Sequence, residues 1–203
     1  MRTEQIRAVN RRQRILAAAL DVFSRRGYSD AAVDEIALES TTSKGGVYFH
    51  FPNKHAIFLA LLDQTADLLY SRAEQATLAE SEPVAQLDAA LWTITRTFEN
   101  HRSLTRLFLV EARGAGRDIN AHMQEIHNRF AELIAQRLDA AVELNVIPPL
   151  DTRVAGQAWF GAINEVVVSW VLSDGDEGLA EAYPALRALL LRSVGVPPSE
   201  GEV

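Results

Sequence analysis

The segment Ser43–Lys54, SKGGVYFHFPNK, gathers two ammonium groups, a phenol, an imidazole and a hydroxyl around two adjacent glycines, with no carboxylate among them. Donors of this kind at this density suit a lattice of phosphates. Tyr48, His50 and Lys54 are placed to donate to phosphate oxygens, contacts that set register without reading sequence. Ser43 and Lys44, preceded by Thr42, are placed to reach base edges, and Phe49 suits a thymine methyl. Gly45 and Gly46 each weaken a helix by about 1 kcal/mol relative to alanine, and the compensating gain is close approach of the backbone to a duplex. Ahead of them lie Arg2, Arg7, Arg11, Arg12 and Arg14. These read either as phosphate or minor-groove contacts or as a solvated terminus, and Arg11 and Arg14 are the stronger candidates for contact.

Other chemistries find little support. The chain has no cysteine, no nucleophile elbow, no phosphate loop and no paired Glu-x-x-His set for a di-iron centre. An enzyme built in a helical bundle is therefore the remote alternative, and no cofactor is expected. His122 and Glu125 stand three apart on a helix, but His122 and His127 stand five apart, off one face, so no metal site is expected.

The elements that must position these groups are all helical, because apolar residues recur at helical spacing and no strand pattern appears. A first helix is expected over 10–26, with Ile15, Ala19 and Phe23 in line, stopped by Gly27. A short second helix over 33–40 buries Val33, Ile36 and Ala37. Thr41-Thr42 forms a turn, Ser43 caps a third helix over 44–51, Val47 and Phe51 give it a buried side, and Pro52 ends it. Further helices are expected over 54–80, 84–101, 103–113, 118–144, 151–172 and 179–194. The breaks between them fall at Ser81-Glu82-Pro83, Gly114-Ala-Gly116, Pro148-Pro149 and the polar turn 173–178. The tail 196–203, rich in Pro, Ser, Gly and Glu, is expected to be disordered. The fold class is all-α, and three short helices with a tight turn between the second and third make a helix-turn-helix pattern. In that arrangement the third helix enters the major groove; a plain helical hairpin with exposed polar residues is the alternative.

The net charge of −7 is no objection to a nucleic-acid partner, because it is unevenly distributed. Residues 1–55 hold nine Lys and Arg against six Asp and Glu, whereas the remainder holds eleven against twenty-one. That asymmetry fits a DNA-binding end on a body that does not bind DNA. With 48% apolar and 23% charged residues the composition is that of a soluble globular protein. The arginine-rich start has no apolar stretch behind it for a signal peptide, and the run 158–172 is broken by Asn164, Glu165 and Ser169. A cytoplasmic location without membrane association is expected.

The motifs Arg14-Ile-Leu-Ala-Ala-Ala-Leu-Asp-Val-Phe-Ser-Arg-Arg-Gly-Tyr28, Val33-Asp-Glu-Ile-Ala37 and Ser43–Lys54 agree in order and spacing with the N-terminal domain of TetR-family repressors. The resemblance covers about residues 11–62; beyond it rests on chain length and helical pattern. Three positions depart from the family pattern. Ala32 stands where a threonine usually caps the second helix, so Ser29 or Asp30 would have to serve. Thr41-Thr42 replaces a glycine followed by an aliphatic residue, and His55 replaces a frequent glutamate.

The resemblance implies a helix-turn-helix domain over 1–53 and a ligand-binding and dimerisation domain over 54–195. It also implies that helices 151–172 and 179–194 pair with their copies in a homodimer, which would read a palindromic double-stranded operator. Ala155, Gly156, Ala158, Gly161 and Ala162 would allow close approach there, with Trp159, Phe160 and Trp170 supplying area. The remaining helices would enclose an effector. Its candidate contacts are Trp92, Phe98, Phe108, Glu111, Arg113, His127, Phe130, Trp159, Asn164 and Glu165, each of which is equally open to satisfaction within the protein. The apolar richness, with Arg113 available to a carboxylate or phosphate, points to a mainly apolar effector with a polar end, such as a fatty acid or acyl thioester. The expected function is a repressor released from its operator by that effector; an activator or an effector-blind regulator with the same DNA end is the alternative.

Overall fold

A computed structural model describes residues 2–173 and 177–197. Among the described residues there is no strand, and the helices are α1 (Arg2–Asp30), α2 (Val33–Glu39), α3 (Lys44–His50), α4 (Lys54–Leu78), α5 (Pro83–Asn100), α6, α7 (Arg117–Glu143), α8 (Thr152–Leu172) and α9 (Leu179–Ser193). Helix α6 is composite. It starts at Arg102–Arg106, widens into a π-helical turn at Leu107–Glu111 and finishes as Ala112–Gly114.

The local reasons for these boundaries are mostly visible. Helix α1 starts earlier than its apolar pattern, at Arg2, and is broken inside at Gly27, whose φ of 76° leaves the helical region. Glycine takes that conformation without a Cβ clash. The α4 N-terminus is capped by Asn53, whose side-chain oxygen accepts from the Ala56 N–H at 2.8 Å. Pro83 begins α5 one residue earlier than expected, at the position where a missing N–H costs nothing. Helix α7 ends before the Pro148-Pro149 pair expected to stop it. Asn145 adopts φ 56°, and the Val146 N–H then reaches back to the Ala141 carbonyl at 2.8 Å, a left-handed cap of the kind asparagine tolerates. Asp151 caps α8 by accepting from the Val154 N–H at 3.0 Å. The turn at 173–178 lies partly, and the expected disordered tail mostly, outside the described residues.

The described residues form two compact units, one made of those within 1–66 and 106–123 and the other of those within 67–105 and 124–197. The first is built around Ile15, Leu16, Ala19, Val22 and Phe23 of α1, which are buried with Ile36, Val47, Ile57, Phe58 and Leu62. Phe23, Tyr28 and Phe58 close one end of it as an aromatic trio, with ring centroids 4.5–5.8 Å apart. The second unit has a core of Leu87, Leu91, Leu138, Trp159, Leu186 and Leu190. Helices α7 and α8 come close there because residue 156 is glycine: a Cβ on it would lie 2.5 Å from the Ala131 carbonyl oxygen.

Candidate nucleic-acid interface

Helix α3 has the two-sided build its sequence predicts. Ser43 is its N-cap, the Oγ accepting from the Gly46 N–H at 3.1 Å. Val47 is 0% exposed and Phe51 3%, whereas Phe49 is 84% exposed and Tyr48 43%. The Phe49 ring meets only the His50 imidazole edge-on, at 5.3 Å between ring centroids, and most of its surface faces outward. Ser43, Lys44 and Gly45 are exposed on the same short helix, and Thr42 and Gly46 are half-buried.

The two glycines have different reasons. A Cβ at Gly45 meets nothing within 4 Å, but one at Gly46 would lie 2.8 Å from the Thr42 methyl and 3.2 Å from the Ser43 Oγ. Gly46 is thus required by the turn that precedes it. Only Gly45 is free of any demand from the protein itself.

That turn takes the shape a glycine would normally supply. Thr41 adopts φ 49°, a left-handed conformation that costs a β-branched residue about 1–2 kcal/mol. Its N–H is accepted by the Leu38 carbonyl at 3.1 Å, and that of Thr42 by the Ala37 carbonyl at 2.9 Å. The cap of α2 differs from expectation. Neither Ser29 nor Asp30 serves; the N-cap is Ala32, in extended conformation with no side-chain bond. The Glu35 carboxylate accepts only a long 3.5 Å contact from the Ala32 N–H. Ion pairs brace α2 instead: Arg26 reaches Glu35 at 3.1 Å, Arg25 pairs with Glu39, and Lys44 of α3 meets Asp34 at 2.8 Å.

Lys54 occupies an internal place. Its Nζ donates to the carbonyl oxygens of Tyr28, Ser29 and Ala31 at 2.7, 2.8 and 3.0 Å and stands 4.9 Å from the Tyr28 ring. All three ammonium protons are engaged, so Lys54 ties the end of α1 to the start of α4. At the other end of α3, the Arg12 guanidinium lies 5.1 Å over the Phe51 ring. Burial, with Arg11 and Arg12 adding repulsion, holds the His50 imidazole below its ordinary pKa. Arg11 therefore belongs to one cationic cluster with Arg12 and His50. Arg14 lines a separate open cleft with Asp21, Glu39, Ser40 and Thr41.

The expected effector contacts divide between the two units. Phe108, Glu111 and Arg113 belong to the first: Phe108 is 3% exposed within the π-helical turn, Glu111 places a carboxylate oxygen 3.5 Å from where a Cβ of Gly27 would be, and Arg113 is exposed. In the second, His127 and Phe130 gather around Phe160 at 4.8 and 6.4 Å, and Phe130 meets Tyr70 at 5.9 Å. The side-chain oxygen of Asn164, one turn beyond Phe160, is buried without a hydrogen-bond partner. Trp92 sits apart from this group, 43% exposed and edge-on to Tyr183 at 4.8 Å. Trp159 is core, its indole N–H donating to Ser193 Oγ at 3.0 Å; Phe98 is buried and Glu165 exposed. Tyr70 was not legible as a member, since a lone tyrosine in an amphipathic helix carries no signal of what faces it.

The small residues of α8 also separate. Gly156 serves packing against α7, whereas Val154, Ala158, Gly161, Glu165 and Leu172, which share a helix face, are exposed. A Cβ at Gly161 meets nothing within 4 Å. On α9, Ala185, Leu189 and Arg192 are exposed as well. Trp159 and Phe160 lie on the inward side, so of the aromatic residues assigned to a subunit contact only Trp170 remains, itself held by a bond to the Glu177 carbonyl at 3.0 Å. His122 Nε2 bonds Asp63 Oδ1 at 2.6 Å. Among the described residues no cluster of His, Asp and Glu could hold a metal ion, and no helix is long and apolar enough to cross a membrane.

Residues 15–61 match the family model for bacterial regulatory proteins of the tetR family, and residues 80–194 match that for a tetracyclin repressor-like C-terminal domain. The fatty acid metabolism regulator protein of Bacillus subtilis is 23% identical over 181 residues, covering 89% of this chain and 93% of its own. Among solved structures, the transcriptional regulator FadR from Bacillus subtilis in complex with stearoyl-CoA superposes with a TM-score of 0.83 at 23% identity, covering 92% of this chain and 99% of the other. AibR, solved with isovaleryl coenzyme A and operator DNA, does so with a TM-score of 0.72 at 20% identity, covering 93% and 98%. At those identities the structural likeness establishes a shared fold.

Proposed function

The chain belongs to the tetR family of bacterial regulatory proteins, and from that premise we propose that it is a homodimeric transcriptional repressor released from a palindromic operator by an acyl thioester. The observation that carries the DNA half is the outer face of α3. Tyr48 and Phe49 stand in solvent, and the backbone at Gly45 is bare, opposite a buried Val47–Phe51 anchor. Ser43, Lys44, Tyr48 and Phe49 approach bases and phosphates, Thr42 and Gly46 shape the turn behind them, and Arg11 with His50 holds the flanking phosphate. Arg14, beside Asp21 and Glu39, contributes less. Lys54 acts indirectly, by fixing α1 against α4.

Two such helices must be presented one helical turn apart, about 34–36 Å, to read a palindrome. The exposed Val154–Ala158–Gly161 face of α8 with Leu189 of α9 supplies the surface through which the copies join. The relatives solved with stearoyl-CoA and with isovaleryl coenzyme A support an acyl thioester as effector. The aromatic group of Tyr70, Phe130 and Phe160 offers an apolar chain a wall to lie against. Effector and operator weaken each other by the same factor. Because the relatives are named as regulators, a change of affinity, rather than turnover, is the output.

The test is selection of bound fragments from random duplex DNA, then titration of the selected site by fluorescence anisotropy across a salt series. Binding of a palindrome that weakens steeply with salt and is reversed by a long-chain acyl-CoA is expected. Retention of tight binding by the Lys44→Ala/Tyr48→Ala double variant would overturn the assignment of α3.

A further inference from the structure

Asn164 lies on the face of α8 that carries Phe160, one helical turn further on. Phe160 stacks on Phe130 of α7 with planes 20° apart, and Phe130 meets Tyr70 of α4 edge-on. Beside these rings, with the His127 imidazole 4.8 Å from Phe160 and the Arg129 guanidinium 4.0 Å over Tyr70, α8 brings an amide whose oxygen is buried and accepts no hydrogen bond. An acceptor withdrawn from water without a donor costs stability, and a leucine of similar size would avoid that cost. Buried polar atoms are otherwise satisfied almost everywhere in folded proteins. The oxygen is accounted for if its donor arrives from outside.

The chemistry of the effector then narrows, on the acyl-thioester reading given above. An ionised fatty acid is acceptor-only and brings no proton for Asn164. An acyl thioester of a pantetheine arm brings the same apolar chain and, a few bonds past the sulfur, an amide N–H. We infer that Asn164 Oδ1 accepts a hydrogen bond from that amide, which makes Asn164 the residue that distinguishes an acyl thioester from a free fatty acid.

The experiment is calorimetric titration of the full-length protein with two probes that differ only in a methyl group in place of the amide hydrogen: S-decanoyl-N-acetylcysteamine and its N-methylated amide analogue. The parent protein is expected to bind the N–H probe about tenfold more tightly, the size of one hydrogen bond to an otherwise orphaned group. Asn164→Leu and Asn164→Ala should bind both probes alike, at the level of the N-methylated one. Without ligand, Asn164→Leu should also melt about 2–4 °C higher than the parent, whereas a merely structural asparagine would make it melt lower. If the leucine variant does not fold, the alanine variant carries the comparison. Equal binding of the two probes by the parent, or a preference kept in the variants, overturns the role of Asn164 and leaves the effector class standing. Failure of the parent to bind either probe or a long-chain acyl-CoA, while operator binding persists, overturns the effector class and this inference with it.

Discussion

The Thr42 methyl stands 2.8 Å from the point where a Cβ on residue 46 would be, while the same position on residue 45 faces open space. Two neighbouring glycines in one short helix thus answer to different constraints. Alanine at 46 must push Thr42 or tilt α3; alanine at 45 need move nothing. Gly46→Ala is expected to lower stability by about 1–3 kcal/mol through overpacking, with most of the loss recovered when Thr42 is shortened to Ser. Gly45→Ala is expected to raise stability through helix propensity, by up to about 1 kcal/mol, and with it the melting midpoint, while weakening operator binding at least tenfold. Thermal melts and anisotropy on the same samples check both, and a Gly45→Ala variant with undiminished DNA affinity would show that nothing approaches that backbone.

Lys54 gives a prediction that separates structure from contact. With three carbonyl partners within 3.0 Å, its loss leaves three acceptors without a charged donor. Lys54→Met should cost about 1.5–3 kcal/mol of stability, the range for a charged hydrogen-bonding group. The slope of log affinity against log salt should stay unchanged, whereas a lysine on a phosphate would reduce that slope by about 0.9. A stable variant with a shallower slope would return Lys54 to the DNA.

His50 sets a pH dependence whose sign follows from its surroundings. Burial first, then Arg11 and Arg12, hold its folded pKa below the ordinary 6.5. As pH falls through that value the unfolded chain takes up a proton before the folded one does. The associated stability is therefore present above about pH 6.5 and is lost as pH drops toward the lowered value. Denaturant midpoints measured between pH 8 and 5 should decline more in the parent than in His50→Gln. The difference should shrink when Arg11 and Arg12 are both replaced by Gln.

The glycines of α8 give a paired test of packing and assembly. Gly156→Ala places a methyl 2.5 Å from the Ala131 carbonyl oxygen and should destabilise the fold by about 1–3 kcal/mol. A Cβ at residue 161 meets nothing within 4 Å, so the secondary structure of Gly161→Glu should persist while sedimentation shows the dimer dissociating. Loss of helicity in Gly161→Glu, or an unchanged dimer, would contradict the assigned face.

Much of this arrangement is written locally in the sequence. The Ser43 cap, the Val47–Phe51 anchor and the break at Gly27 each depend on residues within a turn or two of one another, where periodicity and capping rules apply directly. Thr41 and Lys54 show where such rules stop. A threonine adopts φ 49° because the bonds from residues 41 and 42 back to α2 and the packing of α3 outweigh its local preference, and nothing in the string Thr-Thr reveals this. Lys54 lies more than twenty residues from the carbonyls it meets, and a lysine beside a basic motif looks like any other phosphate ligand until the fold turns it inward. In the aromatic group around Phe160 the sequence offers His127 and Phe130 as effector contacts and Phe160 for a subunit contact, but Tyr70 carries no local signal, and only the fold brings the four together.

The π-helical turn at Leu107–Glu111 buries Leu107, Phe108 and Leu109 consecutively, with Ala112 following. The wider turn, closed by hydrogen bonds between residues five apart, accommodates an additional residue within the helix. In genealogical terms the segment behaves as a one-residue insertion held inside a helix. Removing one residue there would restore the α-helical ladder while the turns on either side keep the faces they present, because the wide turn takes up the additional residue locally. Any alignment of this chain with a relative lacking the turn should place its gap at 107–111. A gap placed elsewhere would pair Phe108 and Glu111 with residues from the wrong side of the helix.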